Sequence, residues 1–207
     1  VSAREEILRR VRHALRDVSP ADEREPATPE HTVREHPGDV VAHFVERVAD
    51  YQAVVTRCTA AQVPSTVAAA LSGAADVLVP EGFPPDLLPA DRQWIADEDL
   101  SAATLDDLDA VVTTASVGVA ETGTIVLDHG PGQGRRAVTL VPDRHVCVIR
   151  ADQVVADVTQ AVALLNPGRP QTWISGPSAT SDIELERVEG VHGPRQLHVI
   201  VVESDQP

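Results

Sequence analysis

Glu121 is the one carboxylate in Ala120-Glu121-Thr122-Gly123-Thr124, a polar turn between the apolar runs Val111-Val112 and Ile125-Val126-Leu127. A carboxylate flanked by apolar strands is costly to bury unpaired, so it needs a reason. One reason is chemistry, as a general base or a nucleophile. Others are contact with a ligand, or acceptance of backbone N–H bonds that fix the turn. The residues leave all three open. Thr122 and Thr124 offer hydroxyls beside it, and Gly123 lets the backbone turn where a side chain could not. Gly130-Pro131-Gly132-Gln133-Gly134 then precedes Arg135-Arg136. Mobile backbone amides followed by guanidinium groups suit an anionic ligand, with Gly132, Gly134, Arg135 and Arg136 as contacts; a flexible hairpin tip is the alternative. The spacing of this loop is not that of a dinucleotide fingerprint. Gly176-Pro177-Ser178 reads as a helix start offering free N–H groups and a positive dipole end, or simply as a capped helix. If these groups serve one ligand, Glu121, Arg135, Arg136 and the amides near Ser178 converge on one pocket at the strand ends.

Composition narrows the chemistry. The net charge is −15, from 32 acidic and 17 basic residues, and every basic residue is Arg. Without Lys there is no Schiff-base or P-loop lysine chemistry. The acidic balance argues against nucleic-acid or anionic-membrane binding, so any anion site must be local. Cys58 and Cys147 are the only cysteines, whereas an iron–sulfur cluster wants about four thiolates. They read as buried structural thiols. His13, His31, His36, His43, His129 and His198 show no metal-ligand spacing, and His145 and His192 read as structural, so no metal and no cofactor are expected. The acidic stretch from Asp97 to Asp109 reads as a solvated loop and helix face. No apolar run approaches about 18 residues, so no membrane span is expected. The charged N-terminus lacks a signal-peptide core, which points to the cytoplasm.

The elements that must position these groups alternate between strand and helix. Ser2 to Glu5 form a capping box before Ile7, Leu8, Val11, Leu15 and Val18, which predicts an amphipathic helical arm over 1–18. Pro20, Pro26, Pro29 and Pro37 make 19–37 an extended linker. From 38 to 207 the spacing is that of one α/β domain. Asp39 caps a helix carrying Phe44 and Val48. Strands are expected at 53–56, 76–79, 93–96, 146–149, 172–175 and 197–202. Pro64 opens a helix that Gly73 ends. Asp152 caps a helix running through Val154, Val155, Val158, Val162 and Leu165, and Ser181 to Glu184 form a second capping box. A 2% aromatic content leaves a core of Val, Ala, Leu and Ile, which favours a mainly parallel sheet flanked by helices. In such sheets ligands sit outside the carboxyl ends of the strands. The apolar stripe of the arm leaves self-association open.

Three pieces together resemble a known family. They are Thr113 through Leu127, the Gly130–Arg135 loop, and Gly176-Pro-Ser-Ala-Thr-Ser-Asp-Ile-Glu followed by Val191-His-Gly-Pro. In this order and separation they look like the lactate-utilisation protein C family (LutC/YkgG, the LUD domain), over most of 38–207. The resemblance implies a fold similar to ribose-5-phosphate isomerase, glucosamine-6-phosphate isomerase and the CoA transferases. It implies a role in oxidising L-lactate to pyruvate beside iron–sulfur partner proteins that hold the clusters. No catalytic set carries over from the family. The alternative is a stand-alone isomerase- or CoA-transferase-like enzyme that uses Glu121 on a phosphorylated or CoA-linked metabolite.

Overall fold

The computed structural model describes residues 2–16, 38–180, 188–189 and 193–203, and the chain separates into two units, Val1–Glu35 and His36–Pro207. The first unit contains helix α1 (Ala3–Ala14), closed by the expected capping box: Glu5 N–H donates to Ser2 Oγ and Ser2 N–H to Glu5 Oε2. The 19–37 linker and Val18 lie outside the described residues.

The second unit is built on a five-stranded sheet in which every neighbour is parallel. Its strands are β1 (Val54–Cys58), β2 (Val77–Leu78), β3 (Ala110–Thr114), β6 (Arg144–Arg150) and β11 (Gln196–Val202), in the order β1-β11-β6-β3-β2. The central strands β6 and β11 run in register from Arg144 opposite Gln196 to Arg150 opposite Val202. Side chains alternate across a strand, so each run feeds two cores. Cys147, Ile149, Leu197, Val199 and Val201 face one, with Phe44 and Val48 of α2 (Val40–Asp50). Val146, Val148, Ile200 and Val202 face the other, with Val63 and Val67 of α3 (Val63–Ala70). Asp39 caps α2 as expected, accepting from Val41 and Ala42 N–H. A short α4 (Ala102–Asp106) seats Leu105 beside Leu78 and Val111.

A second, four-stranded sheet has the order β7-β4-β5-β8, comprising β4 (Val117–Val119), β5 (Thr124–Leu127), β7 (Val154–Val155) and β8 (Thr172–Ile174). The β4–β5 and β5–β8 pairs are antiparallel. Ile125 and Leu127 join the α2 core, whereas Val126 turns to the opposite face, where α5 (Val158–Leu164) and its neighbours supply Ala161 and Leu165. Val111-Val112 and Ile125–Leu127 therefore belong to different sheets that share one core.

Two local expectations are corrected. Val154-Val155 is strand rather than helix, because it pairs with Gly118-Val119 on the open edge of the second sheet. The helix starts later, with Asp157 accepting from Gln160 N–H. Of 93–96, only Ile95 bridges, to Leu78. No helix among the described residues is long and apolar enough to cross a membrane.

Candidate functional site

The Ala-Glu-Thr-Gly-Thr stretch is the hairpin turn between β4 and β5. Ala120 N–H donates to Val155 O at 2.9 Å and Glu121 N–H to Ala156 O at 3.0 Å, which ties the turn to the chain beyond β7. Gly123 has φ +58°, and a Cβ there would lie 2.6 Å from the carbonyl carbon of Arg47 in α2. The helix backbone rests on the turn, and only glycine lets it approach so closely. The Glu121 side chain is exposed and makes no hydrogen bond or ion pair with a described residue. The burial cost expected for it is absent, because the side chain lies in solvent although Ala120 and Gly123 beside it are buried. Glu121→Gln is accordingly expected to change stability by less than about 0.5 kcal/mol, as surface substitutions generally do. Thermal melts of the two proteins check this; a clear drop in Tm would show that the carboxylate holds the turn.

Thr122 and Thr124 point elsewhere. Their hydroxyls are 2.7 Å apart, and Thr124 Oγ1 lies 2.7 Å from Ser175 Oγ. This hydroxyl chain links the turn to the end of β8.

The glycine-rich loop is held rather than loose. Gln133 is buried; its Oε1 accepts from Asp128 N–H at 2.7 Å and its Nε2 donates to Ser116 Oγ at 2.9 Å. Gly132 N–H donates to Glu81 O at 2.7 Å, and Gly132 O accepts from Thr114 N–H. The amide of Gln133 is bonded to Gly130 O and that of Gly130 to Asp128 Oδ1. The amides of Gly130, Gly132 and Gln133 thus have protein partners and are not free for an anion. A Cβ at Gly132 would meet Thr114 Oγ1 at 3.0 Å, and one at Gly134 would meet Val138 Cγ2 at 2.9 Å, so both serve packing. His129 braces the loop, with Nδ1 2.9 Å from Gly134 O and Nε2 3.0 Å from Thr172 Oγ1.

The two arginines part company. Arg135 grips Asp97 with both prongs, at 2.8 and 3.0 Å, and donates to Leu100 O at 2.5 Å. Asp97 is only 10% exposed, so the acidic stretch is not all solvated face. This pair sits in a depression at the carboxyl ends of β2 and β3, beside Glu81 and His129. Arg136 instead lines a separate cavity of about 290 Å³ with Gly176, Ser178, Ser175 and Trp173. That cavity lies at the amino ends of β6 and β11, marked by His145 and Leu197. The structure thus brings Arg136, Gly176 and Ser178 together. It places Arg135 elsewhere, and Glu121, Thr122 and Gly123 line neither cavity.

Gly176-Pro177-Ser178 starts no helix. It leads into β9 (Ala179–Thr180), antiparallel to β10 (Val188–Glu189). Ser178 N–H donates to Pro194 O at 2.8 Å. The helix-dipole argument fails, since a Gly-Pro turn precedes strands and helices alike. The Ser181–Glu184 capping box lies outside the described residues.

His145, which reads from the sequence as structural, is the residue whose surroundings only the fold reveals. Its side chain is fully buried, and Nε2 lies 2.7 Å from Thr113 Oγ1. Its Nδ1 is buried with no partner among the described residues. Leaving such a group unsatisfied costs about 1–3 kcal/mol. Burial pushes His145 down to about 4, so the ring is neutral at pH 7. Burial pushes the neighbouring Cys147 thiol up to about 12, against the pull of the Thr113 hydroxyl. The only signal in the chain was a histidine leading an otherwise apolar strand.

Comparison with known proteins adds to this geometry. The family model described as the LUD domain matches residues 42–202. The Lactate utilization protein C of Deinococcus radiodurans is 51% identical over 169 residues, which are 79% of this chain and 80% of that protein. The Lactate utilization protein C of a Geobacillus species is 35% identical over 44% of this chain and 41% of its own length. A crystal structure of a DUF162 family protein from Deinococcus radiodurans superposes with a TM-score of 0.69 at 44% identity, over 79% of this chain and 96% of that one.

Proposed function

This chain belongs to the LUD domain family, and on that footing we propose that it is a component of an L-lactate utilisation system. The observation that carries the reading is the 51% identity, over about four fifths of both chains, to a protein named for lactate utilisation. Oxidising L-lactate to pyruvate releases two electrons and two protons, so the system needs an electron acceptor. This chain's thiols are few and badly placed for that task. Cys58 and Cys147 are both buried, in cores on opposite faces of the main sheet. Cluster ligation wants about four thiolates gathered together. Iron–sulfur partner proteins are therefore the carriers in this reading, and the chain holds no cluster.

Two experiments test it. Deleting the gene in a strain with no other lactate-oxidising enzyme is expected to abolish growth on L-lactate and leave growth on pyruvate intact. Undiminished growth on L-lactate overturns the reading. Anaerobic purification of the chain alone is expected to give a colourless protein without iron or acid-labile sulfide, whereas co-purified partners bring both. A stoichiometric visible chromophore on the isolated chain contradicts the division of labour.

A further inference from the structure

Arg136 and His145 face the same cavity, and both have unused hydrogen-bonding capacity. The Arg136 guanidinium forms no hydrogen bond or ion pair with a described residue, although its neighbour Arg135 spends its fork on Asp97. His145 is 1% exposed and its buried Nδ1 has no partner among the described residues, its other nitrogen being held by Thr113. Native structures rarely leave such a nitrogen orphaned, and a water, an ion, strain or a functional role accounts for the exceptions. Ser175 adds a hydroxyl already oriented by Thr124. No carboxylate stands among the described lining residues, which carry a single guanidinium charge and no opposing one.

We propose that this cavity between the two sheets binds a small organic monoanion, a carboxylate of a few carbons with a second oxygen on the adjacent carbon. Arg136 holds the carboxylate, and His145 Nδ1 meets the second oxygen from the apolar floor. The imidazole is uncharged, so it recognises a hydroxyl or carbonyl by hydrogen bonding rather than by charge. A phosphate ester is a poorer fit. It carries nearly two charges at neutral pH, and the nearby Ser178 amide is already given to Pro194. Ligand pockets of this kind pair an apolar lining with a few placed polar groups, and about 290 Å³ is at the small end of their range. The choice of L-lactate as first probe rests on the lactate-utilisation reading; the site does not.

Trp173 lines the cavity, so its fluorescence reports occupancy in the purified full chain. Titrations with L-lactate, pyruvate, propionate and inorganic phosphate test the ligand class. Saturable binding is expected for L-lactate or pyruvate, weaker by about tenfold for propionate, which lacks the second oxygen. Arg136→Gln, at an exposed position, should fold normally and lose about tenfold or more in affinity. His145→Phe should bring the affinity for L-lactate or pyruvate down to that for propionate; if it fails to fold, the Arg136→Gln titration decides alone. No saturable change with either acid, unchanged affinity in Arg136→Gln, or tighter binding of phosphate overturns the proposal. Binding in a strain whose growth on L-lactate is unaffected by deletion would keep the site and remove the pathway; the converse result would do the opposite.

Discussion

Gly123→Ala is expected to lose about 2–5 kcal/mol of stability, the largest effect of any single substitution in the central turn. Two costs add. An alanine at φ +58° pays about 1–2 kcal/mol for the left-handed backbone. Its Cβ would also sit 2.6 Å from the Arg47 carbonyl carbon and 2.7 Å from its oxygen, which are helix backbone and cannot swing aside. Overpacking of this kind costs about 1–3 kcal/mol more. Relief would require α2 to move off the hairpin, drawing Phe44 and Val48 from the shared core. The hydroxyl chain from Thr122 through Thr124 to Ser175 would move with the hairpin, and the cavity wall with it. Urea melts of the two proteins measure the loss. A difference under about 1 kcal/mol would show that the turn and α2 are loosely coupled. Glu121→Gln, two residues away and with a side chain that bonds to no described residue, is the control.

Acidification from pH 7 to pH 4 should cost about 3 kcal/mol through His145 alone. The histidine titrates near 6.5 in the unfolded chain, and burial holds it at about 4 in the folded one. Between those values the unfolded chain binds the extra proton, so stability rises with pH through that window. The contribution is complete above pH 6.5 and is lost progressively as the pH falls toward 4. The roughly 2.5-unit gap converts to about 3 kcal/mol at 1.36 kcal/mol per unit. His198 is lowered by burial as well and adds in the same direction. Asp109, Asp128 and Asp143 are held below the ordinary carboxylate value, so their losses fall at lower pH. Stability curves from pH 4 to 8 for wild type and His145→Gln separate the terms. The variant should show a shallower slope below pH 6.5. Equal slopes would mean that His145 is protonated in the folded protein without penalty.

Much of the local structure could be read directly from the residues. Asp39 and Ser2 were identifiable as caps, because a short side chain satisfies an amide only two or three positions away. The apolar runs at 146–149 and 197–202 read as strands, and they lie in a sheet covered on both faces, where alternation collapses. The resemblance carried by the Glu121 turn, the glycine loop and the Gly176 segment led to the family, which the match over residues 42–202 establishes.

Partnership across the fold was not legible. Arg135 and Arg136 are adjacent in the chain, yet one meets Asp97, 38 positions away, and the other lines the cavity. Nothing local distinguishes them. The Val154-Val155 pair has helical spacing and β-branched chemistry at once, and the free edge of β4 decides for strand. The glycine loop looked mobile because its anchor, Gln133, is a polar residue whose partners Ser116 and Asp128 come from neighbouring chain segments. His145 became a candidate only when the second sheet closed over β6 and left one of its nitrogens without a partner among the described residues. Caps and periodicity depend on neighbours within a few residues, so the chain itself determines them. Burial, pairing and an unmet hydrogen bond depend on segments brought together from 32 to 51 positions apart, and only the folded molecule decides those.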